Sequence, residues 1–179
     1  MKILILLALV LCLLCGCATG IVEEVPEQPA TETGEDLVME MAERLWPVVF
    51  SRTSAEAGFA SLTENQKVFF ALNYLDMEVA NGGLCQFFAN DGGLFAPYIS
   101  GYLNTVGAVE HQELFDGFTE EHGIDVRDLS EFTFTSIESF VELYDLYPFD
   151  EFDDAYYEQE PLSIFLADFI RAHPEDFPN

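Results

Sequence analysis

The residues best placed to do chemistry lie between Glu78 and Asn90. Within thirteen positions Glu78, Asn81, Gln86 and Asn90 bring one carboxyl and three carboxamides around Gly82-Gly83. Two readings hold. Asn81 and the glycines admit left-handed backbone angles cheaply, and Gln86 and Asn90 can satisfy open backbone groups at helix ends. Phe87 and Phe88 would fill the core beside such a structural joint. Alternatively the same four polar side chains line a pocket for a small ligand or a cation. Other chemistry finds little support. His111, His122 and His173 form no His-x-x-x-His pair and no Cys-x-x-Cys is present, so no metal site is expected. His122 before Gly123 and His173 before Pro174 read as helix-end cations. A calcium loop starting at Asp150 would want an acid or amide at 152, Gly at 155 and Glu at 161. The chain has Phe152, Ala155 and Pro161. No nucleophile elbow or phosphate loop appears, and the single Trp46 offers little stacking surface for a sugar. Cys85 lies in an apolar, aromatic stretch with no nearby cation in sequence, as a buried inert thiol does. No catalytic residue and no cofactor is expected.

Charge is the other conspicuous feature. The 179 residues carry 33 Asp and Glu against 6 Lys and Arg, a net charge of -27. Such a surface repels phosphate backbones and anionic lipid, which excludes direct nucleic-acid binding and polybasic membrane adsorption. Yet half the chain is apolar, with 17 Phe and 7 Tyr, which suits one domain with a real core. Several acids recur at helical spacing. Glu113, Asp116, Glu120 and Glu121 share one segment, and Glu138, Glu142 and Asp145 share another. Asp150, Glu151, Asp153 and Asp154 fall in the most acidic stretch. Together they form a candidate docking surface for a basic protein. A role in solubility alone is the competing reading.

The elements that must position these residues read as helices. Asp36 to Arg52 has a helical apolar face that Pro47 should kink or restart. Thr63 and Gln66 make a capping box for a helix running to Gly82-Gly83, which should end or redirect it. A short helix over Leu84 to Ala89, a turn at Asn90 to Gly93, and helices over Ala96 to Thr105 and Val109 to Glu121 follow. Ile124 to Phe134 reads as loop, locally extended. Thr135 with Glu138 makes a second capping box for a helix reaching Tyr144 or Leu146. Glu151 to Glu158 suggests one helical turn, and Pro161 starts a last helix through Ala172. The expectation is a single compact all-α domain over 36–179.

The N-terminus reads as an address. An apolar run from Ile3 to Leu14, too short to span a bilayer, ends in Leu14-Cys15-Gly16-Cys17, which resembles a bacterial lipobox. Leu14 is too large to precede the modified residue, which leaves Cys17 rather than Cys15. The resemblance implies a lipoprotein signal peptide over 1–16, cleavage before Cys17 and a lipid anchor on its sulfur. Loss of Lys2 with the leader takes the net charge from -27 to -28. Only Cys85 then remains as a thiol, so no intrachain disulfide is expected. Residues 17–35 read as an acidic, disordered tether rich in Pro, Thr and Glu. The expected location is extracytoplasmic. Because Ala18 is not an inner-membrane retention signal, it is the outer membrane in a cell that has one.

The stretch Glu78-Val79-Ala80-Asn81-Gly82-Gly83-Leu84-Cys85-Gln86-Phe87-Phe88-Ala89-Asn90 resembles the E-V-x-N-G-G-x-x-Q-[FY]-F-x-N signature of the bacterial DNA-mimic protein family and its wider relatives. Thr63-Glu64-Asn65-Gln66-Lys67 and Gly107-Ala108 add to the likeness, which spans Asp36 to Phe177. The resemblance implies a small, acidic, all-helical homodimer whose carboxylates stand where DNA presents phosphates and so occupy a DNA-binding protein. The motif residues themselves are not those carboxylates. An address outside the cytoplasm would separate this chain from transcription factors and leave other basic proteins as its targets.

Overall fold

The computed structural model describes residues 33–51 and 53–178, and of Asp91 only the backbone. The expected leader, the lipidation site at Cys17 and the tether up to residue 32 lie outside the described residues. Among the described residues there are eight α-helices and no strand. The all-α expectation holds.

Helix α3 (Glu64–Ala89) is the axis. It starts where the sequence places it: Thr63 Oγ1 accepts from the Gln66 amide, and the Gln66 side chain accepts from the Thr63 amide. Its apolar residues point all round, with Phe69, Phe70, Leu72, Leu75 and Leu84 fully buried. A helix of that pattern must be covered on every side. Helices α1 (Gly34–Phe50), α4 (Ala96–Val106), α7 (Phe149–Tyr157) and α8 (Leu162–Ala172) cover it. Helix α5 (Val109–His122) packs outside α4 and α7.

Several expectations are corrected in detail. Helix α1 begins at Gly34, capped by Thr33, and so takes in Glu35, which composition assigns to the tether. Pro47, expected to kink or restart the segment, lies inside one helix that runs on to Phe50. A helix not anticipated, α2 (Ala55–Ala60), follows, with Ser54 as its cap. The segment 124–134 contains a 3-10 turn over Ser130–Phe132 rather than an extended stretch, because Phe132 is drawn fully into the core. Helix α6 (Ile137–Tyr144) is capped by Ser136 with Ser139, not by Thr135 with Glu138. The Ser139 hydroxyl is short enough to accept from the amides of both Thr135 and Ser136. Helix α7 is nine residues rather than one turn, since Phe149, Phe152 and Tyr156 recur at helical spacing and are all buried.

The C-terminal tail closes the domain. Asn65 Nδ2 donates to Asp176 Oδ2 at 2.7 Å, Gln66 Nε2 donates to the Asp176 carbonyl at 2.8 Å, and Phe177 packs edge-on against Phe69.

Gly58 shows how tightly α2 meets α1. A Cβ there would stand 2.2 Å from the Val49 carbonyl oxygen and 2.5 Å from its Cα. Backbone cannot yield as a side-chain tip does, so Gly58→Ala should destabilise the domain by about 1–3 kcal/mol. In an open helix the same change would gain up to ~1 kcal/mol by propensity. The sign of the shift in a urea melt therefore checks the crossing of α1 and α2.

Candidate functional site

The Gly-Gly sequence divides α3 without ending it. Gly82 is extended, at φ -169°, and Gly83 adopts φ +80°, which a residue with a side chain rarely takes. The second segment therefore opens with a bare amide, that of Leu84, as any helix N-terminus does. Asp153 of α7 supplies the acceptor: the Leu84 amide donates to its Oδ1 at 2.9 Å. The fit leaves no space at Gly83, where a Cβ would lie 2.0 Å from Asp153 Oδ2. The Tyr144 hydroxyl stands 3.3 Å from that same oxygen and donates to Asp150 Oδ1 at 2.8 Å. Burial pushes the Asp153 carboxyl up from its ordinary range; the Leu84 amide and Tyr144 oppose this, and Asp150 and Asp154 add to it. Burial also raises the neighbouring Cys85 thiol to about 12, with Asp153 adding to the shift, so the thiol is protonated and inert.

Across the break, Glu78 is tied to the second segment. Its Oε2 accepts from Gln86 Nε2 and from Asn90 Nδ2, each at 2.8 Å, and the residue is 5% exposed. Gln86 and Asn90 are one helical turn apart, so both amides reach the same oxygen. The structure thus joins three of the four polar residues picked out in the sequence. Asn81 stands apart, on the surface. Gly82 matters for space: a Cβ there would meet Gln86 Oε1 at 2.2 Å and displace the clasp. Phe87 and Phe88 are buried beneath. Glu78, Gln86 and Asn90 spend these bonds on one another, which is the geometry of a joint.

Two contacts that sequence reasoning missed complete the hold of α7 on α3. The Tyr156 hydroxyl donates to Asp76 Oδ1 at 2.8 Å, and the Tyr157 hydroxyl donates to the Val79 carbonyl at 3.0 Å. Burial raises the Asp76 carboxyl, against the lowering effect of the Tyr156 hydrogen bond. His111 of α5 is buried, with its ring edge-on to Tyr156, and burial lowers its pKa. No local signal marks these residues, because each partner is distant in sequence.

The candidate docking acids divide in two. Asp153 is half-buried and caps Leu84, and Asp116 is half-buried where it accepts from Ser100 Oγ at 2.8 Å, tying α5 to α4. The other nine are exposed: Glu113, Glu120 and Glu121 on α5, Glu138 and Glu142 on α6 with Asp145 at its end, and Asp150, Glu151 and Asp154 on α7. Three ion pairs occur among the described residues: Arg44–Glu40, Lys67–Glu64 and Arg171–Asp168. Each lies within one helix and none touches α5, α6 or α7. Between α5 and α7 runs a groove of about 330 Å³ with Gly117, Phe118 and Phe152 in its lining and Glu113, Glu121 and Glu151 among them. No group of three or more His, Cys, Asp or Glu among the described residues could hold a metal ion.

Fold and surface define an acidic, all-helical domain whose polar core is a structural joint and whose free carboxylates gather on one run of helices. Residues 60–173 match the family model of DMP19-like protein, and the chain belongs to that family, a non-enzymatic family of DNA mimics. The match covers the α3 joint and the acidic helices. No curated protein matches the chain, and no solved structure does.

The clasp and Asn81 should respond differently to truncation. Gln86→Ala leaves the buried Glu78 oxygen short of one donor and should cost about 1–3 kcal/mol. Asn81→Ala, at an exposed position, should stay within ~0.5 kcal/mol of the parent. Chemical denaturation of both variants checks this, and equal losses would refute the clasp.

Proposed function

We propose that the protein is an acidic interaction module, tethered outside the cytoplasm through lipid on Cys17, that docks a basic protein on the surface of α5 to α7. One observation carries the docking: nine exposed carboxylates on these helices have no ion-pair partner among the described residues. Arg127 is the only Lys or Arg in the sequence between Val109 and Arg171, so the field there is uncompensated. A field of one sign speeds encounter with the opposite sign and rejects its own. Membership in a family of DNA mimics supports the same reading, since a DNA mimic is built to attract what binds phosphates. The groove between α5 and α7 suits a Lys or Arg side chain, with its stem on Phe118 and Phe152 and its head among Glu113, Glu121 and Glu151. Direct binding of nucleic acid is disfavoured by the same field.

Polylysine titrated onto the protein tests the docking face. Binding should weaken several-fold in the triple variant Glu113→Gln, Glu121→Gln, Glu151→Gln, and much more on raising the salt from about 50 to 300 mM. The control variant Glu35→Gln, Glu43→Gln, Glu56→Gln neutralises exposed acids on α1 and α2 and should leave binding near the parent value. Equal weakening by both triples would show that the charge acts only in bulk, as a solubility device would.

The lipobox-like Leu14-Cys15-Gly16-Cys17 supports an address outside the cytoplasm, where the partners would be extracytoplasmic basic proteins rather than transcription factors. No helix of the described residues is long and apolar enough to cross a membrane. Metabolic labelling with a fatty acid should mark the parent chain and not Cys17→Ala. Unchanged labelling of the variant would overturn the lipid anchor and return the protein to the cytoplasm.

A further inference from the structure

Helix α6 presents an apolar ridge to solvent. It buries one residue, Leu143, while Ile137 is 80% exposed and Val141 53% exposed. These two stand one turn apart and so form one ridge, and Phe134 extends it, exposed and packed edge-on to Phe140. Large aliphatic side chains in a row on a free helix face mark a surface that another molecule covers. Charge selects the occupant. Glu138 follows Ile137 and Glu142 follows Val141, with Asp145 less than a turn further on, and all three are exposed. At 100° per residue these acids line one edge of the ridge, while Phe140 and Tyr144 on the other edge lean into the core. A second copy of this chain would bring another acidic edge to the same place, and anionic lipid would be repelled. An apolar strip with cations along one side is welcomed by both halves of the surface.

We propose that this face of α6 docks a cationic amphipathic helix of the partner protein. Its apolar residues, spaced three or four apart, cover Ile137 and Val141, and its Lys or Arg row meets Glu138, Glu142 and Asp145. The eight residues of α6 span about 12 Å, so the footprint is roughly two turns of the partner. The proposal rests on the basic-partner reading above and adds the partner's shape and the place where it sits.

The test uses the full chain and two synthetic peptides of one composition. One arranges Leu on one helical face with Lys along its flank; the other scrambles the order and loses the face. The amphipathic peptide should bind at least about tenfold more tightly, the scale expected for covering one Ile-sized side chain. Ile137→Ser with Val141→Ser should abolish that preference while leaving salt-dependent binding and the melting temperature intact, since both positions are exposed. Glu138→Gln with Glu142→Gln should weaken the amphipathic peptide more than the scrambled one. Survival of the preference in the Ser variant would overturn the proposal. So would a parent dimer that the Ser variant turns into a monomer in sedimentation, which would assign the ridge to a second copy. Binding to phosphatidylcholine vesicles that depends on Ile137 and Val141 would assign it to a membrane and overturn the proposal as well. Equal, salt-sensitive binding of both peptides would sink it and leave the basic-partner reading standing. No binding of either peptide at low salt would remove both.

Discussion

The Asp153 carboxylate, seated against the Leu84 amide, is the contact on which the arrangement of the domain depends. It turns a break in α3 into two helical segments, the second of which has a capped start. A capping side chain is normally the neighbour of the helix it serves. This one comes from 69 residues further along, on α7. The same contact therefore does two jobs. It satisfies an open amide, and it fixes where α7 lies along α3, with Tyr156 on Asp76 and Tyr157 on the Val79 carbonyl completing the register. The clasp of Gln86 and Asn90 on Glu78 holds the other side of the break. Together they set the direction in which α7 leaves the core and carries its exposed acids.

Acidity in this chain thus has two meanings. Asp153, Asp116, Asp76 and Glu78 are bonded parts of the framework, each meeting a hydroxyl, an amide or a carboxamide. Such donors satisfy a carboxyl without introducing a cation, which is how a protein with 6 Lys and Arg can bury acids at all. The remaining acids of α5 to α7 are solvated and meet no counter-charge among the described residues. The proposed docking surface requires this second population to stay unpaired, since every internal ion pair would subtract from the field it offers.

Much of the fold was legible. The Thr63–Gln66 capping box, the stop of α5 at His122-Gly123 and the start of α8 behind Pro161 each follow from nearest-neighbour physics, and each stands where the sequence puts it. Helix α2 escaped notice because six residues rich in Ala carry no period; its existence depends on Gly58 meeting α1. Helix α7 reads short from its acidic composition alone; the spacing of Phe149, Phe152 and Tyr156 is the signal that sets its length. At the joint, Glu78, Gln86 and Asn90 could be grouped from sequence because they flank one break. Asp153 and Asp116 could not be separated from the free acids. Their partners, Leu84 and Ser100, are reached only through tertiary packing.

The first and last helices of the described residues meet. Helix α1 packs most extensively against α8, and the tail behind α8 is bonded to the first turn of α3. Helix α1 therefore lacks its main partner until α8 has been made. Non-local closure of this kind slows folding relative to a bundle whose neighbours follow one another in sequence. During synthesis the domain stays open until α8 and the segment behind it have emerged, and loss of Asp176 and Phe177 would leave the start of α3 without the bonds of Asn65 and Gln66 and the ring contact of Phe69. Arrival of α8 and the segment behind it is itself the step that locks the fold.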